Sequence, residues 1–141
     1  MSMLQDLAKR IPPSYIHQKP GASYKAEYVS HGDITQILLS KHGPWSQRIV
    51  EVIRNAEGVV HGCILECTFV VDNKEIIVQE VGEVERPGQN QGLNLKSSVS
   101  DAIKRCAMRG LGVGLELWCQ ESYILDKALD KKEGDSQDES K

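Results

Sequence analysis

The stretch Leu93 to Trp118, LNLKSSVSDAIKRCAMRGLGVGLELW, sets cationic side chains against an apolar stripe and then stops at three closely spaced glycines. At about 100° per residue, Leu95, Val99, Ala102, Ile103 and Cys106 fall within roughly a third of a helix circumference. The same reading expects Lys104, Arg105 and Arg109 on the opposite side, with Asp101 the one carboxylate at helical spacing, four residues before Arg105. One face packs and the other meets an anion. Arginine offers a planar fork to a phosphate and lysine a point charge, so the chemistry expected of this helix is sequence-independent phosphate binding.

Other reactive side chains are scattered. Cysteines 63, 67, 106 and 119 contain no Cys-x-x-Cys pair, and histidines 17, 31, 42 and 61 show no His-x-x-x-His spacing. Neither a zinc site nor a disulfide framework is expected; Cys63, Cys67 and Cys106 read as reduced packing residues. A small enzyme using Cys63 or Cys119 with His61 or His42 is a rival reading, but nothing in the sequence fixes a third, orienting group. The run Gly110-Leu-Gly-Val-Gly114 follows a helix and lacks the Lys-Ser/Thr ending of a phosphate-binding loop. It reads as a hinge between helices, and no nucleotide or other cofactor is expected.

The elements that must position these groups follow from periodicity and punctuation. Leu4, Leu7 and Ala8 suggest a short amphipathic helix in residues 1–10, ended by Ile11-Pro12-Pro13. Residues 14–25 read as an extended loop with a Pro20-Gly21 turn, and 24–29 as a short strand or a lead into the next helix. That helix begins at Ser30 or Asp33 as cap, carries Ile34, Ile37 and Leu38 inward, and stops at Gly43-Pro44. Three strand-like runs follow, 47–54, 59–70 and 75–84, joined by hairpin chemistry at Asn55-Ala-Glu-Gly58 and Asp72-Asn-Lys74. In the second run Val59, Cys63, Leu65, Cys67 and Phe69 share the parity expected of a buried face, and Gly62, Glu66 and Thr68 the other. After the polar loop 87–92 come the long helix and a second helical piece over 115–129. The fold class expected is α+β: a three-stranded antiparallel meander followed by a long helix, with flanking helices on one face.

Size and charge bound the possibilities. The chain has 141 residues, 40% hydrophobic and 26% charged, with a net charge of -3. That is one domain's worth, assigned to residues 1–129, with 130–141 as an acidic tail too poor in apolar residues to fold. The tail holds five acids and three lysines, so it supplies -2 and the body only -1. A near-neutral body can still carry a basic stripe. No run approaches a membrane span and the first residues lack the apolar centre of a signal peptide, so the expected location is cytoplasmic.

Taken together, these residues resemble the Rad fifty-two superfamily of single-strand annealing proteins, found in eukaryotes and in many bacteriophages. The resemblance covers roughly residues 11–118. It rests on Tyr28-Val29-Ser30-His31-Gly32 opening a helix that ends near Gly43-Pro44-Trp45, on a meander closing with Gln79-Glu80-Val81-Gly82, and on Lys96-Ser-Ser-Val-Ser-Asp101-Ala-Ile-Lys104-Arg105 before a glycine-rich end. It implies a β-β-β-α core, a ring or helical filament of identical subunits, single-stranded DNA in a positively charged groove, and annealing without nucleotide hydrolysis. It also implies possible work alongside a single-strand binding protein or an exonuclease. The groove residues it carries over are Lys104 and Arg105, with Arg109 as a third and Lys96 in support; Arg48 and Arg54 are added from their place on the first strand. The chain departs from the family in Asp33, where a basic residue can stand, and in the run from Arg109 to Gly114, one residue longer than the common pattern. It also lacks the larger relatives' recombinase-recruiting region, and so looks like a minimal phage module. With one Phe, two Trp and four Tyr, base stacking is not expected to be the main device. Trp45 and Trp118 read as core or subunit-interface residues. The alternative from another class is a basic-faced module that binds an acidic protein.

Overall fold

The alternation of apolar and polar residues in the middle of the chain builds a three-stranded antiparallel sheet, β3 (Ser46–Arg54), β4 (Val60–Val71) and β5 (Lys74–Glu83), in that order. The computed structural model describes residues 3–18, 27–119 and 122–131. Two hairpins set the register. Val71 pairs with Lys74 across a two-residue turn in which Asp72 and Asn73 have φ of 53° and 65°, the left-handed pair that matches strand twist. At the other turn the Asn55 carboxamide accepts the Glu57 and Val59 N–H groups, and Gly58 takes φ of 83°.

The inward row of β4 is Cys63, Leu65, Cys67, Phe69 and Val71, all buried. The upstream member of that row is Val60, not Val59 as the alternation suggests. Ile53 pairs with Gly62 and Arg54 with Val60, so His61 is an extra residue that reverses the parity of everything before it. A second irregularity at Val50 lies between the pairs Ile49 with Leu65 and Glu51 with Ile64.

Helix α3 (Gln91–Leu111) covers one face of the sheet, over β4 and β5. Asn90 caps it through the Leu93 N–H, and Gly112, at φ of 76°, ends it with a bond to the Met108 carbonyl. The helix backbone lies directly on Gly82: a Cβ there would stand 1.9 Å from the Ser98 carbonyl oxygen and 2.7 Å from the Ala102 nitrogen. Small residues on both elements allow this approach, and Cys106, Ala107 and Leu111 complete the contact in the core.

Before the sheet come α1 (Met3–Leu7), a 3₁₀ turn (Pro13–Tyr15), a ribbon of β1 (Ile16–Gln18) with β2 (Glu27–Val29), and α2 (His31–Lys41). The stretch expected to be an extended loop from residue 14 thus contributes a turn and a strand, because β2 offers a partner that local sequence does not reveal. The Pro20-Gly21 turn lies outside the described residues. Helix α2 buries Ile34, Ile37 and Leu38 against α3 and the sheet end, and its cap is Ser30, whose hydroxyl accepts the Asp33 N–H. Beyond α3, the single helical piece expected over 115–129 is broken into α4 (Glu116–Cys119) and a helical run 125–131, which includes the first two residues of the assigned tail. Residues 132–141 lie outside the described residues. The α+β class and the three-stranded antiparallel sheet expected from the sequence are present. Among the described residues no helix is long and apolar enough to cross a membrane.

Replacing Gly82 by Ala should destabilise the fold by about 3 kcal/mol, since backbone rather than a flexible side chain must move. Gly32→Ala, in an exposed helical turn with no heavy atom nearer than 3.9 Å to the new Cβ, should instead stabilise by about 0.5–1 kcal/mol. Urea unfolding of the two variants checks the pair, and equal effects would contradict the close contact.

Candidate anion-binding pocket

Helix α3 packs over β4 and β5, and one of its flanks turns toward α2. There Lys96, Ser97, Ser100, Asp101 and Lys104 join His31, the first residue of α2, around an open depression of about 330 Å³. The Lys104 ammonium donates to the Val29 carbonyl at 3.3 Å, which holds it beside the start of α2. That start adds the positive end of a helix of 11 residues. Asp101 is the one acid in the lining, and it is engaged on two sides. It accepts the Glu83 N–H at 3.0 Å and pairs with Arg105 at 3.2 Å. Its charge is therefore balanced locally, and the pocket keeps a positive balance from Lys96 and Lys104. Among the described residues Lys96 has no carboxylate within ion-pair distance.

The six cations expected to act together are divided among four places. Lys96 and Lys104 share the pocket, and Arg105 stands next to it through Asp101. Arg109 does not lie with them on one side opposite the stripe. Lys104 and Arg109 are five residues apart, about 140° around the axis, so Arg109 leaves by the other flank and pairs with Glu80 of β5 at 2.5 Å. Arg48 projects from the uncovered face of the sheet, where its Nε and Nη2 donate to Glu66 at 2.7 and 3.4 Å. Gln79 donates to the same carboxylate, and these bonds hold Glu66 below the usual carboxylate range. Arg54 sits at the hairpin end and donates to the Gly58 carbonyl. The apolar stripe is also wider than expected, because Asn94, Ser98, Ala107 and Leu111 are buried too.

His31, Ser97 and Ser100 belong to the pocket and were not singled out by sequence as site residues. The cap at Ser30 was a usable signal for His31, since it places that side chain at the mouth of a helix. Asp33, one turn on, is tied down rather than free. Its carboxylate takes bonds from His17 at 3.0 Å and Ser30 at 2.8 Å, which lower its pKa.

The other reactive groups are placed as packing. Cys63, Cys67 and Cys106 are free thiols with no exposed surface; burial raises Cys63, and the hydrogen bond with Cys67, with burial behind it, raises Cys106. His42 is committed on both ring nitrogens: Nε2 accepts the Val70 N–H and Nδ1 donates to the Gly43 carbonyl, with Phe69 edge-on at 5.4 Å. Among the described residues no group of three His, Cys, Asp or Glu side chains is arranged to hold a metal ion. Trp45 packs partly on the core beside Phe69, whereas Trp118 is 70% exposed. No protein-family model and no curated protein matches the chain.

Ser30→Ala removes the acceptor that fixes the first turn of α2 and with it the wall that carries His31. The expected cost is about 1 kcal/mol in chemical denaturation, largely restored by Ser30→Asp. A neutral Ser30→Ala would show that the cap does not position this wall.

Proposed function

We propose that this protein binds single-stranded DNA through its phosphates and promotes annealing of complementary strands without nucleotide hydrolysis, as a homo-oligomeric ring or filament. The observation that carries this reading is the pocket on the α3 flank, where two lysines and the start of α2 converge while the nearby acid is already balanced. Phosphate contacts of this kind give affinity without reading sequence, and they leave base edges free to find a complement. The motif resemblance to the Rad fifty-two superfamily supports the same reading and supplies the annealing step and the assembly. Arg105 joins the strand-binding set as a neighbour of the pocket, since a phosphate competes with Asp101 for its guanidinium. Arg109, Arg48 and Arg54 are given no part in the pocket; they reach a strand only where it runs on to other faces or other subunits.

Assembly has its own support. Strand β3 is exposed along most of its length because α3 stops short of it, and Ile49 and Val50 are 43% and 41% exposed. The uncovered face adds Ile77 at 60%, Val70 and Val81. Among the described residues both sheet edges, β3 and β5, are unpaired. Edge strands of this kind pair with another chain unless protected. One pocket per subunit binds weakly, and repeating it along a strand multiplies the affinity. A single-strand binding protein or an exonuclease fits as a functional partner, one supplying and one exposing the strands to be annealed.

The test is a fluorescence annealing assay with two complementary oligonucleotides in the absence of nucleotide and metal, with light scattering for mass. Wild-type protein should form a large oligomer and accelerate annealing. Lys96→Ala with Lys104→Ala should keep the oligomer and lower strand affinity by about tenfold or more, the scale of losing charge-assisted contacts. Asp101→Asn should raise affinity, since Arg105 is then released to a phosphate. A monomer that leaves the annealing rate unchanged would refute the proposal, and salt-sensitive binding of acidic proteins without strand-length dependence would replace it with the interaction-module reading.

A further inference from the structure

The chain leaves α3 through Gly112 and Gly114, with φ of 76° and 77°, and residues 115–119 and 122–131 then return to the N-terminal segment. Leu125 packs on Gly112 so closely that a Cβ there would stand 2.7 Å from its methyl group. Polar bonds fasten the return. The Tyr123 hydroxyl donates to the Ala8 carbonyl, Gln5 donates to the Leu129 carbonyl and to Asp130, and Arg10 pairs with Asp126 at 3.6 Å.

At the start of this segment Glu116 is only 6% exposed. Its Oε1 accepts the Ile11 N–H, and its Oε2 is buried with no hydrogen-bond partner among the described residues. The ionisable groups that face it are Arg10, Lys41, Asp126 and Tyr123. Neither cation is spent on Glu116. The Arg10 guanidinium sits over the Tyr123 ring at 5.2 Å and on Asp126, and the Lys41 ammonium donates to the Asp6 carbonyl at 2.7 Å and pairs with the Asp6 carboxylate at 3.7 Å. A buried carboxylate with one oxygen unpartnered and both nearby cations engaged elsewhere is costly, whereas a carboxylic acid in the same place is not.

We propose that Glu116 is a proton-operated latch: its carboxyl group is protonated when the C-terminal segment docks on the N-terminal turn, and loss of that proton loosens the docked segment. Burial pushes this carboxyl above its ordinary range, and Asp126 acts in the same direction. The Ile11 N–H, Arg10 and Lys41 oppose the shift without cancelling it. A group that holds its proton more tightly when docked stabilises docking fully at low pH and loses that contribution as pH rises through the raised value. Each unit of elevation corresponds to about a tenfold change in the docking equilibrium. Tyr123 is not the sensor, because its hydroxyl is pushed up to about 12 and stays a donor throughout. The latch does not depend on the DNA-binding reading.

Hydrogen exchange of the full chain between pH 4 and pH 8, corrected for intrinsic rates, tests it. Protection of residues 115–119 and 122–131 should fall steadily as pH rises across that range, while β4 stays constant. Glu116→Gln keeps an acceptor for Ile11 and removes the charge, so it should hold the segment at one level of protection at every pH. Tyr123→Phe should lower protection throughout and keep the wild-type slope. A wild-type profile that is flat or rises with pH would overturn the latch, whether or not Glu116→Gln folds. So would a Glu116→Gln profile that keeps the wild-type slope.

Discussion

The contact on which the rest of the structure depends is backbone against backbone: α3 rests on Gly82 of β5 at a distance no side chain would permit. Because the helix sits so low, Ser98 and Ala102 face the strand and Cys106 reaches in to the Leu65 and Val78 carbonyls. Two polar links then fix its rotation: Asp101 accepts the Glu83 N–H ahead of the contact, and Arg109 pairs with Glu80 beyond it. With rotation fixed, the flank that bears Lys96 and Lys104 turns toward the start of α2. The pocket is therefore a consequence of how closely a helix can approach a sheet, and only secondarily of which cations the helix carries.

Electrostatics in this chain is a matter of which charges are already spent. Its net charge is -3, and Arg48, Arg105 and Arg109 each meet a carboxylate of the same chain. Exposed pairs of this kind contribute little stability, so a phosphate can compete for the guanidinium at modest cost. Lys96 and Lys104 have no such competitor among the described residues, so theirs is the flank to which the proposed anion site is assigned. The same reasoning applies inside the molecule at Glu116, where the nearby cations are engaged elsewhere and an ionised carboxylate would be only partly compensated.

Local chemistry made much of this legible in the sequence. The turn at Asp72-Asn73, the cap at Ser30, the stop at Gly43 and the alternation from Cys63 to Phe69 each express a short-range rule, and each is met. What was not legible depends on partners distant in sequence. His61 shifts the parity of Val60 because β3 accommodates one residue fewer, and β1 forms because β2 lies beside it. Helical periodicity finds the stripe of α3, but its width is set by α2 and the C-terminal return as well as by the sheet. Lys104 and Arg109 emerge on different flanks by helix geometry alone, about 140° apart, whereas only the packing of the C-terminal return buries Glu116 and leaves Trp118, two residues later, exposed. The pocket itself joins residues 31 and 96–104, a juxtaposition that only the packing of two helices creates.

The most direct measurement is the salt dependence of single-strand affinity for the wild type and for single lysine variants. For single strands the slope of log affinity against log salt changes by about 0.7 for each phosphate contact. If Lys96 and Lys104 each hold a phosphate, removing either one makes the slope shallower by about that amount per site, while Arg48→Ala, on the opposite face of the sheet, leaves it unchanged. Unchanged slopes for both lysine variants, or an equal change for Arg48→Ala, would contradict a phosphate grip on the α3 flank.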